Sequence, residues 1–400
     1  MSFEMKSLDE LGYVSRGRSR HRPRDAAHLY GGPYPFIQTS DVKHSNLYIT
    51  EYEQTYSEEG LAQSRLWKAG TLCITIAANI ADTSILAIDA CFPDSIIGFI
   101  PDPEKADVHF IKYLFDAILQ KRYKKFTQGA AQDNLSQSKL LSLKFPVPNI
   151  IEQQLIGTIL STYDDLIENN RRRIQLLEQA ARLLYKEWFV YLRFPGHEHV
   201  KITDGVPEGW EKVTVPDIIS INPKESVIKD SDIRYVPMSS LSESGMTVDI
   251  SQTEIRQKAT SVKFRNGDIL FARITPCLEN GKTGYVNFLD ENEIACGSTE
   301  FIILRGQSIS AYFTYCLART YDFRENAIKS MIGSSGRQRV QVSCFDDYQI
   351  ALPPKMLLEQ FDEFASSCFE EIALLMRQNQ NLEKARDLLL PRLMNGDLAI

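Results

Sequence analysis

The eight residues Leu177–Leu184, "LEQAARLL", return almost unchanged at Leu382–Leu389 as "LEKARDLL", 205 positions later. Each copy lies in a long stretch whose apolar residues recur at alternating spacings of four and three, the signature of a helix that packs along one narrow seam. In the first stretch the seam runs Leu160, Tyr163, Ile167, Asn170, Ile174, Leu177, Ala181 and Leu184. In the second it runs Cys368, Ile372, Leu375, Asn379, Leu382, Arg386 and Leu389. The spacing predicts two helices of about 35 to 40 residues, each about 55 Å long at 1.5 Å per residue. Two matched seams can pack on each other antiparallel and leave their outer faces for a partner. Asn170 and Asn379, each near the middle of its helix, are candidates for a buried amide pair that fixes register at a cost in stability.

Working outward, the repeat takes in nearly the whole chain. Phe3, Leu8 and Leu11 in "FEMKSLDEL" correspond to Trp210, Val215 and Ile218 in "WEKVTVPDI", 207 residues on. "LWKAGTLCITIA" from Leu66 corresponds to "KFRNGDILFARI" from Lys263, and "EQQL" at Glu152 to "EQFD" at Glu359. Each half also holds a glycine-bearing polar loop that leads to a strand-like segment ending in proline, "QGAAQDNLSQSKLLSLKFPVP" and "GSSGRQRVQVSCFDDYQIALPP". Blocks kept in order at nearly one offset mark a tandem duplication with divergent interiors.

Short apolar runs bounded by Gly, Asn and Asp, such as "LCITIAAN", "GDILFARI" and "STEFIILR", read as strands. One helix per half is expected in "DVHFIKYLFDAILQKRYKKF" and "ISAYFTYCLARTYDFREN". The expected class is therefore α/β (α+β). The expected divisions are a first globular domain at 1–149, a helix at 150–193, a Gly- and Pro-rich linker at 194–209, a second globular domain at 210–354, and a helix with tail at 355–400.

Four hundred residues with 43% apolar content suffice for two or three packed domains. Seven scattered cysteines without a CxxC pair suit neither a disulfide framework nor a zinc cage, and point to reduced thiols in the cytoplasm. No basic-then-apolar leader and no long apolar window suggest secretion or a membrane span. No GxxxxGK[ST], GxGxxG or HExxH stands in the sequence, and "NPKE" at Asn222 departs from the Asn/Asp-Pro-Pro-aromatic motif of amino-methyltransferases. No acidic nuclease triad has suitable spacing. His197 and His199 in "GHEH" lack neighbouring ligands and read as solvated. No catalytic or metal-binding set is assigned, which favours a binding protein.

Against a formal net charge of -7, the run "VSRGRSRHRPRD" places Arg16, Arg18, Arg20, Arg22 and Arg24 at every second position. Guanidinium forks suit phosphates and guanine edges; the alternative is a solvated loop. Tyr30 and Tyr34 follow closely, and Gln38, Thr39, Ser40 and Asp41 are types that reach base edges. The second half spreads its cations more thinly: Lys224, Arg265, Arg273, Lys282, Arg337 and Arg339. Arg273 reads equally as a strand residue paired with an acid.

The order of "WEKVTVPDI", "YVPMSSL", "FRNGDILFARI", "GSTEFIILRG", "IALPPKMLLEQF" and "LLLPRLMNGDLAI", with "LLYKEWFVYLRFPG" closing the first half, resembles the specificity subunits of type I restriction-modification systems. The resemblance implies two target-recognition domains, each reading half of a split site in double-stranded DNA, separated by two helices packed as an antiparallel coiled coil. It further implies that the helices dock methyltransferase subunits and that a restriction and translocase subunit joins them. On this reading S-adenosylmethionine, ATP and Mg belong to those partners, and this chain binds no cofactor. DNA contacts fall in the loops at Arg16 to Arg24, at Gln38, Thr39, Ser40 and Lys43, at Lys224, Ser239, Ser240 and Arg273, and at Arg337 and Arg339. Helix packing and partner docking fall to Tyr163, Ile167, Asn170, Ile174, Leu177 and Leu184, and to Ile372, Leu375, Asn379, Leu382 and Leu389. The alternatives are a stand-alone DNA-modifying enzyme with an unfamiliar site and a coiled-coil scaffold.

Overall fold

The computed structural model describes residues 3–77, 80–120, 135–227, 232–258, 261–334 and 336–398. Contacts group the chain into two compact units, Met1–Asn169 with Gln378–Ile400, and Asn170–Arg377. This grouping cuts across the linear division read from the sequence, because each long helix, Ile150–Tyr185 and Lys355–Met394, contributes to both units.

In the first unit Glu4–Lys6 pairs antiparallel with Phe145–Val147, Glu4 opposite Val147. A one-turn helix, Leu8–Leu11, follows and buries both leucines. Its first turn is closed by Glu10, whose carboxylate accepts from the Ser7 amide at 2.6 Å and the Ser7 hydroxyl at 2.7 Å, a reciprocal cap for otherwise orphaned donors. Five strands then form a sheet in the order Gly12–Arg16, Ile96–Pro101, Leu72–Thr75, Thr83–Leu86, Tyr48–Ile49. All pairs are antiparallel except the last. Leu72–Thr75 and Thr83–Leu86 are buried at every position, as strands covered on both faces must be. Helix Val108–Phe115 starts where the Asp107 carboxylate accepts from the Phe110 amide at 2.9 Å. Its phenylalanines pack with Leu72, Ile74 and Phe99, with Ile156 and Leu160 of the first long helix, and with Leu393 and Met394 of the second.

The second unit repeats this plan. Glu211–Thr214 pairs antiparallel with Gln349–Leu352, Glu211 opposite Leu352. Asp217 caps Val215–Ile218 by accepting from the Thr214 amide at 2.8 Å and hydroxyl at 2.7 Å. An antiparallel sheet runs Ile219–Ile221, Phe301–Gly306, Ile269–Ala272, Thr283–Tyr285, matching the first four strands of the other sheet in order. The interiors diverge. Here a second four-stranded sheet is built from Glu254–Arg256, Ile233–Val236, Ala295–Gly297 and Lys263–Phe264, where the first unit has the pair Tyr30–Phe36 and Gln54–Tyr56.

One expectation is corrected. "ISAYFTYCLARTYDFREN" is two helices, Ala311–Ala318 and Tyr321–Lys329, because Thr320 leaves the helical region and caps the second one. The first-half counterpart is helical over Val108–Phe115 and continues as a wider turn over Asp116–Gln120; its end from 121 to 126, and the loop residues 128–134, lie outside the described residues.

The long helices measure 36 and 40 residues and run antiparallel within each unit. In the first, Asn379 donates to the Ile167 carbonyl at 3.3 Å and Arg386 pairs with Asp164. In the second, Arg173 meets Glu371 at 2.6 Å and the ring of Tyr185 lies against Phe361. Of the seam residues read from the sequence, Ile167, Asn170, Ile174, Ile372, Leu375 and Asn379 are buried, while Tyr163, Leu177, Leu184, Leu382 and Leu389 are partly so. The linker holds a small hairpin, Ile202–Thr203 with Val206–Pro207, and no set of three or more ligands among the described residues is arranged for a metal.

Candidate nucleic-acid interface

Strand Gly12–Arg16 lies at the edge of its sheet, and the chain stays extended beyond it. Gly17 donates to the Ile96 carbonyl at 2.9 Å and Arg18 to the Phe92 carbonyl at 3.0 Å. Side chains of an extended chain alternate in direction. Gly17 and Ser19 face inward, the latter toward the Tyr56 hydroxyl at 3.5 Å, so Arg16, Arg18 and Arg20 face solvent, and Arg22 and Arg24 are exposed as well. A Cβ at position 17 would stand 2.3 Å from the Phe92 carbonyl, so only glycine allows this approach. The loop is held from outside by Gln63, whose side-chain carbonyl accepts from the Arg20 amide at 2.6 Å and the His21 amide at 3.0 Å. Ser64 adds a donation to the Arg18 carbonyl at 2.8 Å.

The five guanidinium groups are not equivalent. Arg16 donates to the Asp94 carbonyl at 2.8 Å, and Arg24 grips the Asp94 carboxylate at 2.9 and 3.0 Å. Arg22 folds back onto the Ser19 and His21 carbonyls, both at 2.7 Å. Arg18 and Arg20 have no side-chain hydrogen-bond or ion-pair partner among the described residues and are the two forks left for a phosphate. Because an exposed ion pair is worth about 1 kcal/mol or less, the Arg24–Asp94 contact is readily exchanged for another anion.

Beside this loop lies a group that sequence reasoning missed. The Arg65 guanidinium sits over the rings of Trp67 at 4.0 Å and Tyr13 at 4.9 Å and donates to the Tyr13 hydroxyl at 2.7 Å. Hydrogen bonding from Ser15 and Arg65 holds the Tyr13 hydroxyl below its ordinary pKa. Trp67 in turn stacks on Phe92. The signal available was the adjacency of a cation and an indole in "SRLW".

Gln38 to Lys43 does not form the expected loop. Thr39–His44 is a short helix whose entry is fixed by Asp41 accepting from the Gln38 amide at 2.7 Å, and the Gln38 side-chain amide donates to the Gln54 side-chain carbonyl at 2.7 Å. Thr39 and Ser40 are partly buried, and Lys43 is exposed.

In the second unit Lys224 is exposed in a loop and Ser239 is exposed on the helical turn Met238–Ser240. Ser240 requires a correction: it is 2% exposed, so packing removes it from any surface contact. Arg273 follows strand Ile269–Ala272 and donates to the Val340 carbonyl at 3.4 Å; among the described residues its buried Nε has no partner and no acid pairs with it. Lys282 reaches the Met238 carbonyl at 3.4 Å. Ile332 and Arg339 exchange backbone hydrogen bonds at 3.1 and 3.0 Å and so close the Ser/Gly loop, whose Ser335 lies outside the described residues. Arg337 projects from this loop, whereas Arg339 is held bidentately by Glu300 at 2.7 to 3.0 Å.

The long helices carry their own exposed apolar residues, Leu176, Leu183, Phe364 and Leu374 among them. In the second unit an open groove is lined by Leu177, Gln360, Phe364 and Cys368.

A sheet plan written twice, with cationic loops in each copy and two long helices that each contribute to both units, is the layout of a duplicated DNA-specificity protein. The family described as "Type I restriction modification DNA specificity domain" matches residues 2–179 and again 207–383, and the chain belongs to that family. It is 26% identical over 417 residues to the type I restriction enzyme MjaIX specificity subunit of Methanocaldococcus jannaschii, covering all of this chain and 94% of the relative. The HindI specificity subunit of Haemophilus influenzae is 21% identical over 97% of this chain and 98% of its own. A crystal structure of a type I S subunit from M. genitalium shares the fold, with a TM-score of 0.59 at 15% identity over 98% of this chain and 96% of that one.

Proposed function

We propose that this chain is the DNA-reading subunit of a type I restriction-modification complex and recognises a split target, one domain per half-site, without performing chemistry. The single observation that carries this reading is the repeated sheet, four strands in the same order with the same Ser/Thr-acid cap ahead of it, in both family domains. Two copies of one reader suit two half-sites held at a fixed separation, as paired half-sites require in dimeric DNA-binding proteins. The free forks of Arg18, Arg20 and Arg337, with exposed Lys43, Lys224 and Ser239, supply phosphate and base-edge contacts. Arg16, Arg22, Arg24, Arg339 and Arg273, with Gln38, Thr39 and Ser40, shape the loops around them.

On this reading methyltransferase subunits dock on the outward faces of the two helices and supply adenine methylation from S-adenosylmethionine. A restriction and translocase subunit brings the ATP- and Mg-dependent step. The exposed leucines of both helices and the groove beside Phe364 support docking there, since apolar side chains of that size gain by leaving water. Partners that close around the duplex also explain how an acidic chain holds DNA: the local field at the contact surface counts, not the net charge.

The test is co-expression with the methyltransferase encoded beside it, in cells lacking other adenine methylation, followed by genome-wide mapping of methylated adenines. A single split motif with a fixed spacer, absent when this chain is omitted, is the expected result. DNA cleavage or S-adenosylmethionine binding by the chain alone would instead favour an enzyme, and co-purification without any methylated motif would favour a scaffold.

A further inference from the structure

Arg65 is held differently from the arginines around it. Arg16 and Arg24 are taken up by Asp94, and Arg22 by carbonyls of its own loop. The Arg65 guanidinium has no carboxylate partner among the described residues. It rests instead on π faces and one hydroxyl: the Trp67 ring at 4.0 Å, the Tyr13 ring at 4.9 Å, and the Tyr13 hydroxyl, to which an Nη donates at 2.7 Å. Ring faces attract a cation without neutralising it, so the fork keeps its charge and most of its N–H donors.

The platform beneath the fork is fixed. Trp67 is 1% exposed, exchanges backbone hydrogen bonds with Ala90 at 2.9 and 3.0 Å, and stacks on Phe92 with ring centroids 4.8 Å apart. Tyr13 stands on strand Gly12–Arg16 and is 49% exposed, and Arg65 itself is partly exposed. The neighbouring phosphate grip is built from the same pieces: Gln63 and Ser64, directly before Arg65, hold the backbone of Arg18, Arg20 and His21, and the Phe92 carbonyl accepts from the Arg18 amide. A cover for Trp67 needs only an apolar chain of the right length. A phosphate contact needs charge and reach, which Arg18 and Arg20 supply. What stacking and the Tyr13 hydrogen bond add is a fixed plane, and that matters where two N–H groups must meet two acceptors side by side. Guanine presents such a pair, O6 and N7, in the major groove.

We propose that Arg65 is a specificity-determining residue of the first domain: held in plane by Tyr13 and Trp67, its guanidinium reads the O6 and N7 edge of one guanine in that domain's half-site, while Arg18 and Arg20 grip the backbone. The proposal deepens the split-target reading above and rests on it.

The experiment uses the full chain carrying Arg65→Ala or Arg65→Lys, co-expressed with the methyltransferase encoded beside it, with methylated adenines mapped genome-wide. The first domain's half-site is the one that persists when residues 210–354 are exchanged for those of a relative, and it should contain a G·C pair. In Arg65→Ala that one position should accept other pairs, with methylation of the substituted sites rising about tenfold over the wild type. All other positions, and the second half-site, should persist. Arg65→Lys, which keeps the charge but not the planar fork, should relax the same position and leave the salt dependence of binding unchanged. Unaltered base preference in Arg65→Ala, or full retention of it in Arg65→Lys, overturns the proposal. So does a uniform loss over all sites with a shallower salt slope, the mark of a phosphate contact. Should Arg65→Ala abolish methylation, competition binding of the Arg65→Lys complex to duplexes carrying each of the four pairs at that position is read by the same criterion. A wild-type methylome without a split motif would remove the underlying reading; a split motif whose bases the variants discriminate as the wild type does removes the role of Arg65 alone.

Discussion

Replacing Arg18 and Arg20 together by alanine isolates the two exposed forks that the loop does not use for itself. Each phosphate neutralised contributes about -0.9 to the slope of log K against log salt on duplex DNA. Loss of two such contacts should flatten the slope by about 1.8. Between 50 and 200 mM salt the wild type should then lose about twelvefold more affinity than the variant. The assay is fluorescence anisotropy of the chain and its methyltransferase on a labelled duplex, across a series of KCl concentrations. Arg22→Ala is the internal control, since its guanidinium is spent on the Ser19 and His21 carbonyls; it should weaken the loop and change the slope by less than about one unit. An unchanged slope in the Arg18/Arg20 variant, or an equal loss from Arg22→Ala, would refute the assignment and leave the run a solvated loop.

Two further predictions concern the scaffold. Asp268 is 1% exposed and accepts from the Arg305 Nε and an Nη at 2.6 Å, so Asp268→Ala leaves a half-buried guanidinium whose remaining ion-pair partner among the described residues is Glu225; unfolding of the second unit should become easier by about 3 kcal/mol. A loss below about 1 kcal/mol in denaturant titration would contradict that account. Lys144 and the Ser7 cap lower the Glu10 carboxyl from 4.5 to about 2. Because the folded value is depressed, the stabilisation is complete above the ordinary carboxylate range and is lost as pH falls toward 2. Lys144→Ala should move the Glu10 midpoint upward in an NMR titration, and an unmoved midpoint would show that the lysine contact is not its cause.

The duplication, both long helices and most of their seams were legible in the sequence because helical periodicity and internal offset are local signals. The alternation of the arginine run was legible too, and it coincides with an extended chain whose even positions face solvent. The partners of those arginines were not. Asp94 lies 70 residues from Arg24, and Glu300 lies 39 from Arg339, so only the folded sheet brings them together. Ser240 was placed in a contact loop by the family resemblance, yet the turn Met238–Ser240 places it inward. Arg386 was read only as one member of the seam, because its partner Asp164 lies 222 residues away. The interleaving of the units was hidden for the same reason, since a long helix reveals its period and not which domain each turn packs against.

The central claim is that each domain reads its own half of the target. Exchanging residues 210–354 for the corresponding domain of a relative, then mapping methylated adenines in cells that also express the methyltransferase, tests it most directly. The account predicts a motif in which one half-site changes while the other half and the spacer persist. Change in both halves, or in neither, would contradict it.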